Sequence, residues 1–322
     1  MTARRLKVFS GSANPVLAQE VADVLDVPLG EIDLERHADG EVRIAIDESV
    51  RGEDVFVVQP TSPPVNEHLM ELLVIIDALR RASAARITAV IPYFGYGRQD
   101  RKTRPREPIS SKLVANLLVT AGTGRILTVD LHAGQIWGFF DIPLDHLPSR
   151  MLLAADLRRR GPENVVIVSP DIGGTQRARE FAALLGAPIA IIDKRRDKPN
   201  QVREVVHVIG KVYRRHAVIV DDIADTAGTL TMATQALLRR GATDVSAYVT
   251  HPLLSGPAVA RITQSPLREL VVTNTVALPP EKHIEKIRIL SVAPLLGEAI
   301  RRIHEDRSVS DLFEARTQVQ PV

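Results

Sequence analysis

The chain contains no cysteine, which excludes disulfide-stabilised folds, zinc sites built on thiolates and cysteine nucleophiles. Aromatic residues make up only 4% of its 322 residues, and no apolar run has the length of a membrane span. The N-terminal stretch MTARRLKVFSGSANP has basic residues but lacks the apolar segment of a secretory signal. These absences predict a cytoplasmic protein without a membrane partner.

The sequence also lacks an excess of charge of one sign. It has 41 basic and 39 acidic residues, which gives a formal net charge of +2. This balance argues against a nucleic-acid partner, so any binding of anions must come from local clusters. Hydrophobic residues make up 45% of the chain, which is enough for one or two sizeable cores.

Short apolar runs alternate with amphipathic helical segments along the whole chain. Runs such as DVFVV at Asp54 and NVVIVS at Asn164 are typical of strands that are buried on both faces. The pattern predicts an α/β fold of two similar domains, each with a mostly parallel sheet flanked by helices. The predicted domains are 1–147 and 148–295, with a boundary within 141–150. We expect a C-terminal helix and tail, 296–322, to pack back on the first domain.

The stretch VIVDDIADTAGTL, Val218–Leu230, combines a strand, three acids and the start of a helix. The strand is expected to end near Val220 and the helix to begin near Gly228. Amide groups at a helix start and threonine hydroxyls favour an anion, and glycine allows close approach. Carboxylates would repel a phosphate, so we expect them to accept hydrogen bonds from vicinal sugar hydroxyls instead. The predicted sugar-phosphate site comprises Asp221, Asp222, Asp225, Thr226, Ala227, Gly228 and Thr229. Helix capping alone would explain only one or two of these polar residues.

Two basic runs follow other predicted strands. Lys194 and Arg196 lie in DKRRDK, just after the predicted strand PIAIID, in a polar stretch typical of a mobile loop. The run RQDRKTRPRE begins at Arg98, also after a strand, and ligands of α/β proteins bind at the carboxyl ends of strands. Solvated surface charge is the alternative interpretation of both runs.

VIVDDIADTAGT resembles the ribose-phosphate loop shared by type I phosphoribosyltransferases and class I ribose-phosphate pyrophosphokinases (PRPP synthetases). Further motifs resemble the second family, in order and over almost the whole chain. They are FSGSANP at Phe9, GYGRQDRK at Gly95, DLHAGQIWGFFDIP at Asp130, VSPDIGG at Val168, IDKRRDKPN at Ile192, THPLLSGPA at Thr250 and SVSDLF at Ser308. This resemblance implies two phosphoribosyltransferase-like domains, a homohexamer, and conversion of ATP and ribose 5-phosphate to AMP and PRPP.

The resemblance also assigns roles to particular residues. Lys194 and Arg196 would be catalytic, and Arg196 would also bind ribose 5-phosphate. The implied ATP-binding residues are His37, Asp39, Glu41, Arg98 and Gln99. Mg²⁺ would be held by His132 and Asp171, which follow strands, as Asp130 does. A regulatory site for phosphate or ADP is implied at Ser49, Arg51, Ser83, Arg106, Ser308 and Ser310.

Some of these assignments differ from what the residues alone indicate. DGE after His37 reads as a simple hairpin turn, and His132 is an unusual ligand for a cation that prefers oxygen. His37 also replaces the usual phenylalanine, which weakens stacking on adenine. Pro105 replaces a serine and Asp311 a tyrosine near the regulatory residues, so we expect weaker control by phosphate and ADP.

Two other functions remain possible at this stage. A phosphoribosyltransferase would use the same sugar-phosphate loop but would not need both DKRR and RQDRK. A non-catalytic, PRPP-sensing or synthetase-associated protein would be expected to lose the cations or metal ligands. Lys194, Arg196, His132 and Asp171 are all present, which favours the enzyme.

Overall fold

A computed structural model describes residues 4–196 and 204–314, without the side chains of residues 194–196, 204–206 and 314. The strands, in chain order, are β1 (Leu6–Ser10), β2 (Ile32–Arg36), β3 (Val42–Ile46), β4 (Asp54–Val58), β5 (Arg86–Ile91), β6 (Arg125–Val129), β7 (Leu144–Leu147), β8 (Val165–Ser169), β9 (Ile189–Arg196), β10 (Glu204–Ile209), β11 (His216–Ala224), β12 (Asp244–Pro252), β13 (Glu269–Thr273) and β14 (Ile287–Leu290). The α-helices are α1 (Pro15–Leu25), α2 (Val65–Arg81), α3 (Ser110–Ala121), α4 (Arg150–Arg160), α5 (Thr175–Leu185), α6 (Gly228–Arg239), α7 (Ala258–Gln264), α8 (Ala293–His304) and α9 (Asp311–Glu314). Two 3-10 helices span Gly134–Phe139 and Pro280–Lys282.

The chain forms two compact units that are not continuous in sequence. The N-terminal unit contains the residues up to Pro148, Thr275–Ala277 and the residues from Ser291 onward. The C-terminal unit contains Ser149–Asn274 and Leu278–Leu290. None of the helices in the described part of the chain is both long and apolar enough to cross a bilayer.

The N-terminal unit is built on a parallel sheet with the strand order β1-β4-β5-β6-β7. All five residues of the inner strand β4 are buried, because helices cover both faces of the sheet. The antiparallel hairpin β2–β3 forms a separate small sheet that packs against α2. This hairpin carries the residues His37, Asp39 and Glu41 at its turn.

The C-terminal unit is built on a sheet with the order β10-β9-β8-β11-β12-β13-β14, in which only the β9–β10 pair is antiparallel. Successive residues of β11 enter two different apolar clusters. Ala217 and Ile219 belong to one cluster, and Val218 and Val220 belong to the other. The continuous apolar run that the sequence shows at this strand therefore reflects two buried faces.

The predicted fold class, two α/β domains with mostly parallel sheets, is confirmed. The strands β7, β9, β10 and β11 differ from the sequence prediction. β11 extends past Val220 to Ala224, because β12 supplies backbone partners as far as Pro252. β9 extends through Arg196, because β10 pairs with it in antiparallel register, and β7 adds an edge strand within 141–150.

The C-terminal part of the chain completes the N-terminal unit. Helix α8 packs against α1, and Arg301 of α8 donates a 2.9 Å hydrogen bond to the backbone oxygen of Val24. At the end of α8, Nδ1 of His304 lies 2.8 Å from Oδ2 of Asp54, a residue with no exposed surface. Arg86 pairs with Asp54 and lies 2.6 Å from Asp306.

Candidate active site

A cavity of about 150 Å³ opens in the C-terminal unit where β8 and β11 end and α6 begins. It is lined by Pro170, Asp171, Ile219, Asp221, Ile223, Ala224, Asp225, Thr226, Ala227, Gly228, Thr229, Leu230 and Val249. The cavity therefore brings together Asp221, Asp171 and the five residues of the predicted phosphate-binding turn. Asp222, the remaining predicted sugar ligand, is not among the lining residues.

The turn between β11 and α6 is held by hydrogen bonds to two of its backbone oxygens, one from a backbone amide and one from the guanidinium of Arg261. The amide of Ser255 donates to the oxygen of Asp225 at 3.0 Å, and Arg261 donates to the oxygen of Thr226 at 2.9 Å. Ala227, the N-cap residue of α6, adopts a left-handed conformation with φ of 58° and makes no side-chain capping hydrogen bond. A helix start that lines a cavity is suited to an anion.

The adjacent carboxylates of Asp221 and Asp222 share one arginine. Nη1 of Arg177 lies 3.4 Å from Oδ1 of Asp221 and 3.1 Å from Oδ1 of Asp222. Asp222 is only 4% exposed, and its amide donates to Oδ1 of Asp221 at 2.9 Å. Burial raises the pKa of Asp221 well above its usual value, the charge of Asp222 raises that pKa further, and Arg177 opposes both effects.

The sequence analysis missed Arg177. The residue lies on α5, next to Ala178 and four positions before Phe181, both of which are buried in the core. An arginine beside the apolar stripe of an amphipathic helix was the only signal available, because such a position brings the side chain towards the sheet.

Asp171 has a structural contact as well as a place in the cavity wall. Its Oδ1 accepts a 2.8 Å hydrogen bond from the amide of Gly174, at the start of α5. Oγ of Ser169 donates to its backbone oxygen at 2.6 Å. Among the described residues, no group of three or more His, Asp or Glu side chains could hold a metal ion.

His132 belongs to the N-terminal unit, in the loop between β6 and the 3-10 helix Gly134–Phe139, and it is exposed. The loop begins at Asp130, which has a positive φ of 37°. Nε2 of His146 accepts a 3.0 Å hydrogen bond from the amide of Leu131, so His146 fixes the path of this loop.

The predicted ATP-binding residues lie on two exposed turns of the N-terminal unit. At the turn between β2 and β3, the amide of His37 donates to the oxygen of Glu41 at 2.9 Å, and Oδ1 of Asp39 accepts from the amide of Glu41 at 3.0 Å. Arg98 and Gln99 lie in the loop between β5 and α3, and both are exposed.

Gln99 also organises the start of α3. Its backbone oxygen accepts hydrogen bonds from the amide and the hydroxyl of Ser111 at 3.2 Å and 3.0 Å. Its side-chain oxygen accepts a hydrogen bond from the hydroxyl of Ser110. The residue therefore ties the loop that carries Arg98 to a regular helix.

The predicted regulatory residues lie on several segments of the N-terminal unit. The amide of Gly52, next to Arg51, donates to the oxygen of Ser83 at 2.9 Å, which brings these two segments together. Ser49 and Arg106 are exposed. The hydroxyl of Ser308 lies 3.0 Å from that of Ser310 and donates to Oδ1 of Asp311 at 2.7 Å. The hydroxyl of Ser308 is therefore engaged by the carboxylate of Asp311.

Comparisons with known proteins agree with this geometry. The N-terminal domain of ribose phosphate pyrophosphokinase matches residues 6–122, and the phosphoribosyl synthetase-associated domain matches residues 196–314. The ribose-phosphate pyrophosphokinase of Bacillus subtilis is 57% identical over 310 residues, which are 96% of this chain and 98% of that protein. The chain belongs to the ribose-phosphate pyrophosphokinase family. The enzyme of that name from Corynebacterium ammoniagenes is 58% identical over 308 residues, 96% of this chain and 97% of that protein. The crystal structure of phosphoribosylpyrophosphate synthetase from Mycobacterium smegmatis superposes on this chain with a TM-score of 0.90 and 44% sequence identity. The superposition covers 94% of this chain and 100% of the Mycobacterium smegmatis chain.

Membership of the ribose-phosphate pyrophosphokinase family confirms the resemblance drawn from the motifs. A non-catalytic regulator is not favoured, because the similar curated proteins over nearly the full length carry the enzyme's name. The two cations that the family resemblance makes catalytic, Lys194 and Arg196, lie at the end of β9 and not after a strand. Their side chains lie outside the described residues, so their roles stay predictions.

Proposed function

We propose that the chain transfers the diphosphoryl group of ATP to the 1-hydroxyl of ribose 5-phosphate, which gives PRPP and AMP. The supporting observation is the cavity of about 150 Å³, whose wall contains both a carboxylate, Asp221, and the start of α6, where the N-cap residue is an alanine. A sugar phosphate needs both features, because its hydroxyls donate hydrogen bonds and its phosphate accepts them.

In this proposal ribose 5-phosphate spans the cavity. Its phosphate binds the turn from Asp225 to Thr229, through amides and the hydroxyls of Thr226 and Thr229. The ring hydroxyls donate to Asp221 and, behind it, to Asp222. Arg196 adds a cation to the sugar phosphate.

ATP binds to the exposed turns of the N-terminal unit. His37 stacks on adenine, Asp39 and Glu41 accept hydrogen bonds from the nucleoside, and Arg98 and Gln99 contact the nucleotide. The exposure of these residues leaves them accessible to a ligand. Lys194 stabilises negative charge on the migrating diphosphoryl group, because such transfers depend on positioning and on neutralisation of charge.

We propose that Mg²⁺ enters as part of the Mg–ATP substrate. Magnesium usually keeps several waters and binds one or two carboxylates together with phosphates. The donors of this chain fit that pattern, because the described residues contain no cluster of three metal-binding groups and Asp171 offers a carboxylate in the cavity wall. Asp171 would supply a carboxylate oxygen as one ligand of the ion, and His132 would supply an imidazole nitrogen as another. The ion would neutralise part of the negative charge of the phosphates.

Further proposals concern the assembly, the effectors and the location. We propose a homohexamer, which is consistent with exposed apolar side chains at Leu113 and Leu117 of α3 and at Trp137. Phosphate and ADP would act as effectors. Their binding would be weakened by the hydrogen bond that the hydroxyl of Ser308 donates to Asp311. ATP and sugar phosphates are cytoplasmic metabolites, so we place the enzyme in the cytoplasm.

The reaction is tested by incubating the purified full chain with Mg–ATP and ribose 5-phosphate, with and without inorganic phosphate. We expect AMP and PRPP to form in equal amounts. ADP in place of AMP would indicate an ordinary kinase, and the absence of any product would refute the proposal.

The sugar site is tested by the substitution Asp221→Asn. Loss of the charged acceptor should weaken ribose 5-phosphate binding by about tenfold or more, because hydrogen bonds to ionised groups are strong. Isothermal titration calorimetry with ribose 5-phosphate alone measures the effect. Glu163→Gln, at an exposed acid of the same unit, should bind like the parent. Equal affinities for both variants would contradict the assignment.

A further inference from the structure

Arg177 lies between the two adjacent carboxylates of β11. A single nitrogen, Nη1, lies 3.1 Å from Oδ1 of Asp222 and 3.4 Å from Oδ1 of Asp221. The side chain of Asp222 is 5% exposed and that of Arg177 is 23% exposed, so this pair is largely screened from water. Asp221, in contrast, lines the cavity.

The position of the guanidinium is fixed by its surroundings. Arg177 is the third residue of α5, and the next residue, Ala178, is fully buried in the core. The backbone at Gly174 packs closely against Ser169, because a Cβ at that position would lie 2.9 Å from Oγ of Ser169, whereas its distance of 3.9 Å from Nη1 of Arg177 is an ordinary contact. The start of the helix is further held by the hydrogen bond from Gly174 to Asp171.

Adjacent carboxylates repel each other when both are ionised, and a nearby cation offsets that repulsion. The charged groups around Asp221 are Asp222 on the same strand, Arg177 on α5, and Asp171 and Asp225 in the cavity wall. Three of these four groups are acids, so Arg177 is the cation that offsets them in this part of the described structure. Burial and Asp222 raise the pKa of Asp221, and Arg177 lowers it.

We propose that Arg177 is a positioning residue that pairs with the buried Asp222 and thereby keeps Asp221 available as an ionised acceptor for the vicinal hydroxyls of the sugar. The proposal rests on the function given above, and it deepens that function by naming what makes the cavity selective for a diol. An ionised carboxylate accepts hydrogen bonds from both hydroxyls, whereas a protonated carboxyl carries a donor that competes with them. Arg177 thereby favours ribose 5-phosphate over a sugar phosphate that lacks one hydroxyl.

The experiment compares Arg177→Met with Arg179→Met in the full-length chain. Arg179 lies two residues further along α5 and is exposed, so its substitution removes the same charge without touching the acids. Affinities for ribose 5-phosphate and 2-deoxyribose 5-phosphate are measured by calorimetry without ATP, between about pH 8 and pH 6. KM is measured separately for ribose 5-phosphate and for Mg–ATP.

We expect Arg177→Met to weaken ribose 5-phosphate binding by about tenfold and to leave KM for Mg–ATP unchanged. The loss should grow as the pH falls, because without the cation Asp221 becomes protonated at a higher pH. The ratio of the affinity for ribose 5-phosphate to the affinity for 2-deoxyribose 5-phosphate should decrease. Arg177→Lys, which keeps the charge, should restore part of the affinity, and Arg179→Met should match the parent.

The proposal is overturned if Arg177→Met and Arg179→Met show the same affinity and the same pH dependence. If circular dichroism shows that Arg177→Met does not fold, Arg177→Gln replaces it, because glutamine keeps an N–H donor without the charge. If Arg177→Gln binds ribose 5-phosphate as tightly as the parent does, the proposal is also overturned. If the parent itself does not bind ribose 5-phosphate, the proposed function fails. If Asp221→Asn weakens binding and Arg177→Met does not, only the role of Arg177 fails.

Discussion

Several side chains of the candidate site also stabilise the backbone near them. Asp171 accepts a hydrogen bond from the amide of Gly174, Asp39 accepts one from the amide of Glu41, and Gln99 binds Ser110. Removing such a side chain changes the local backbone as well as any contact with a ligand. Conservative substitutions are therefore needed to separate the two effects.

Lys194 allows a catalytic role to be tested separately from binding. The substitution Lys194→Ala should lower kcat by about 100-fold or more, because a cation that stabilises a transition state contributes little to ground-state affinity. Equilibrium binding of Mg–ATP should be unchanged. Lys211→Ala, at an exposed lysine of the same unit, serves as the control. Turnover near that of the parent would show that Lys194 is not catalytic.

At the residue scale, the sequence predicted site residues that are close together in the chain better than contacts between residues that are far apart in it. Asp221 and the turn from Asp225 to Thr229 could be found because strand, turn and helix start are consecutive in the chain. Arg177 could not be found in this way, because it meets Asp222 only after α5 has packed beside β11. Such a contact depends on tertiary structure and leaves no spacing signal.

At the scale of elements, the inner strand β4 was predictable, and the edge strands β7 and β10 were not. The buried run of β4 indicates a strand from its composition alone, because both of its faces are covered. β7 and β10 lie at the edges of their sheets, where fewer apolar residues are needed. The lengths of β9 and β11 depend on their pairing partners, which the sequence did not reveal.

The loop that carries Arg98 and Gln99 depends on one glycine. A Cβ at Gly95 would lie 2.3 Å from the backbone oxygen of Thr61, and the amide of Gly95 donates to Oγ1 of Thr61 at 2.6 Å. We expect Gly95→Ala to lower the free energy of unfolding by about 1–3 kcal/mol, because the backbone must shift. Urea denaturation measures the change.

Gly134→Ala is the matched control for that substitution. Gly134 lies in the same unit, and an added Cβ there would have no heavy atom within 4 Å. Its unfolding midpoint should stay close to that of the parent. If the unfolding midpoint of Gly95→Ala also stays close to that of the parent, the loop accommodates the added Cβ without loss of stability.

At the scale of the whole molecule, one ion pair joins distant segments of the C-terminal unit. Arg288 of β14 donates to both oxygens of Asp156 on α4, at 2.9 Å and 2.5 Å, and the hydroxyl of Tyr248 on β12 donates at 3.1 Å. Burial alone would raise the pKa of Asp156, but the bonds from Arg288 and Tyr248 outweigh it and lower that pKa. Burial and the charge of Asp156 raise the pKa of Tyr248 to about 12.

Arg288→Met should therefore destabilise the protein in a pH-dependent way. We expect a loss of about 2 kcal/mol near neutral pH, less than for a fully buried pair because Arg288 is partly exposed. A lowered carboxyl pKa stabilises the fold above the unfolded pKa of about 3.9, and this contribution is lost as the pH falls through the folded pKa. The difference from the parent, measured by urea denaturation, should shrink in acid.

The more exposed pair of Arg268 and Asp244 provides the comparison. Arg268 lies 2.6 Å from Asp244 and its side chain is 57% exposed, so Arg268→Met should cost less than about 1 kcal/mol. An equal loss for both variants would show that burial does not strengthen the Asp156 pair.

The discontinuous path of the chain has a consequence for its biosynthesis. α8 covers one face of α1, and His304 reaches the buried Asp54, so the unit that begins the sequence requires residues from near its end. While the ribosome is still adding these residues, the first unit exposes an apolar surface that α8 will later cover. The segment translated first thus cannot complete its packing until α8 has been made, and a gene divided after Pro148 would separate α1 from the helix that covers it.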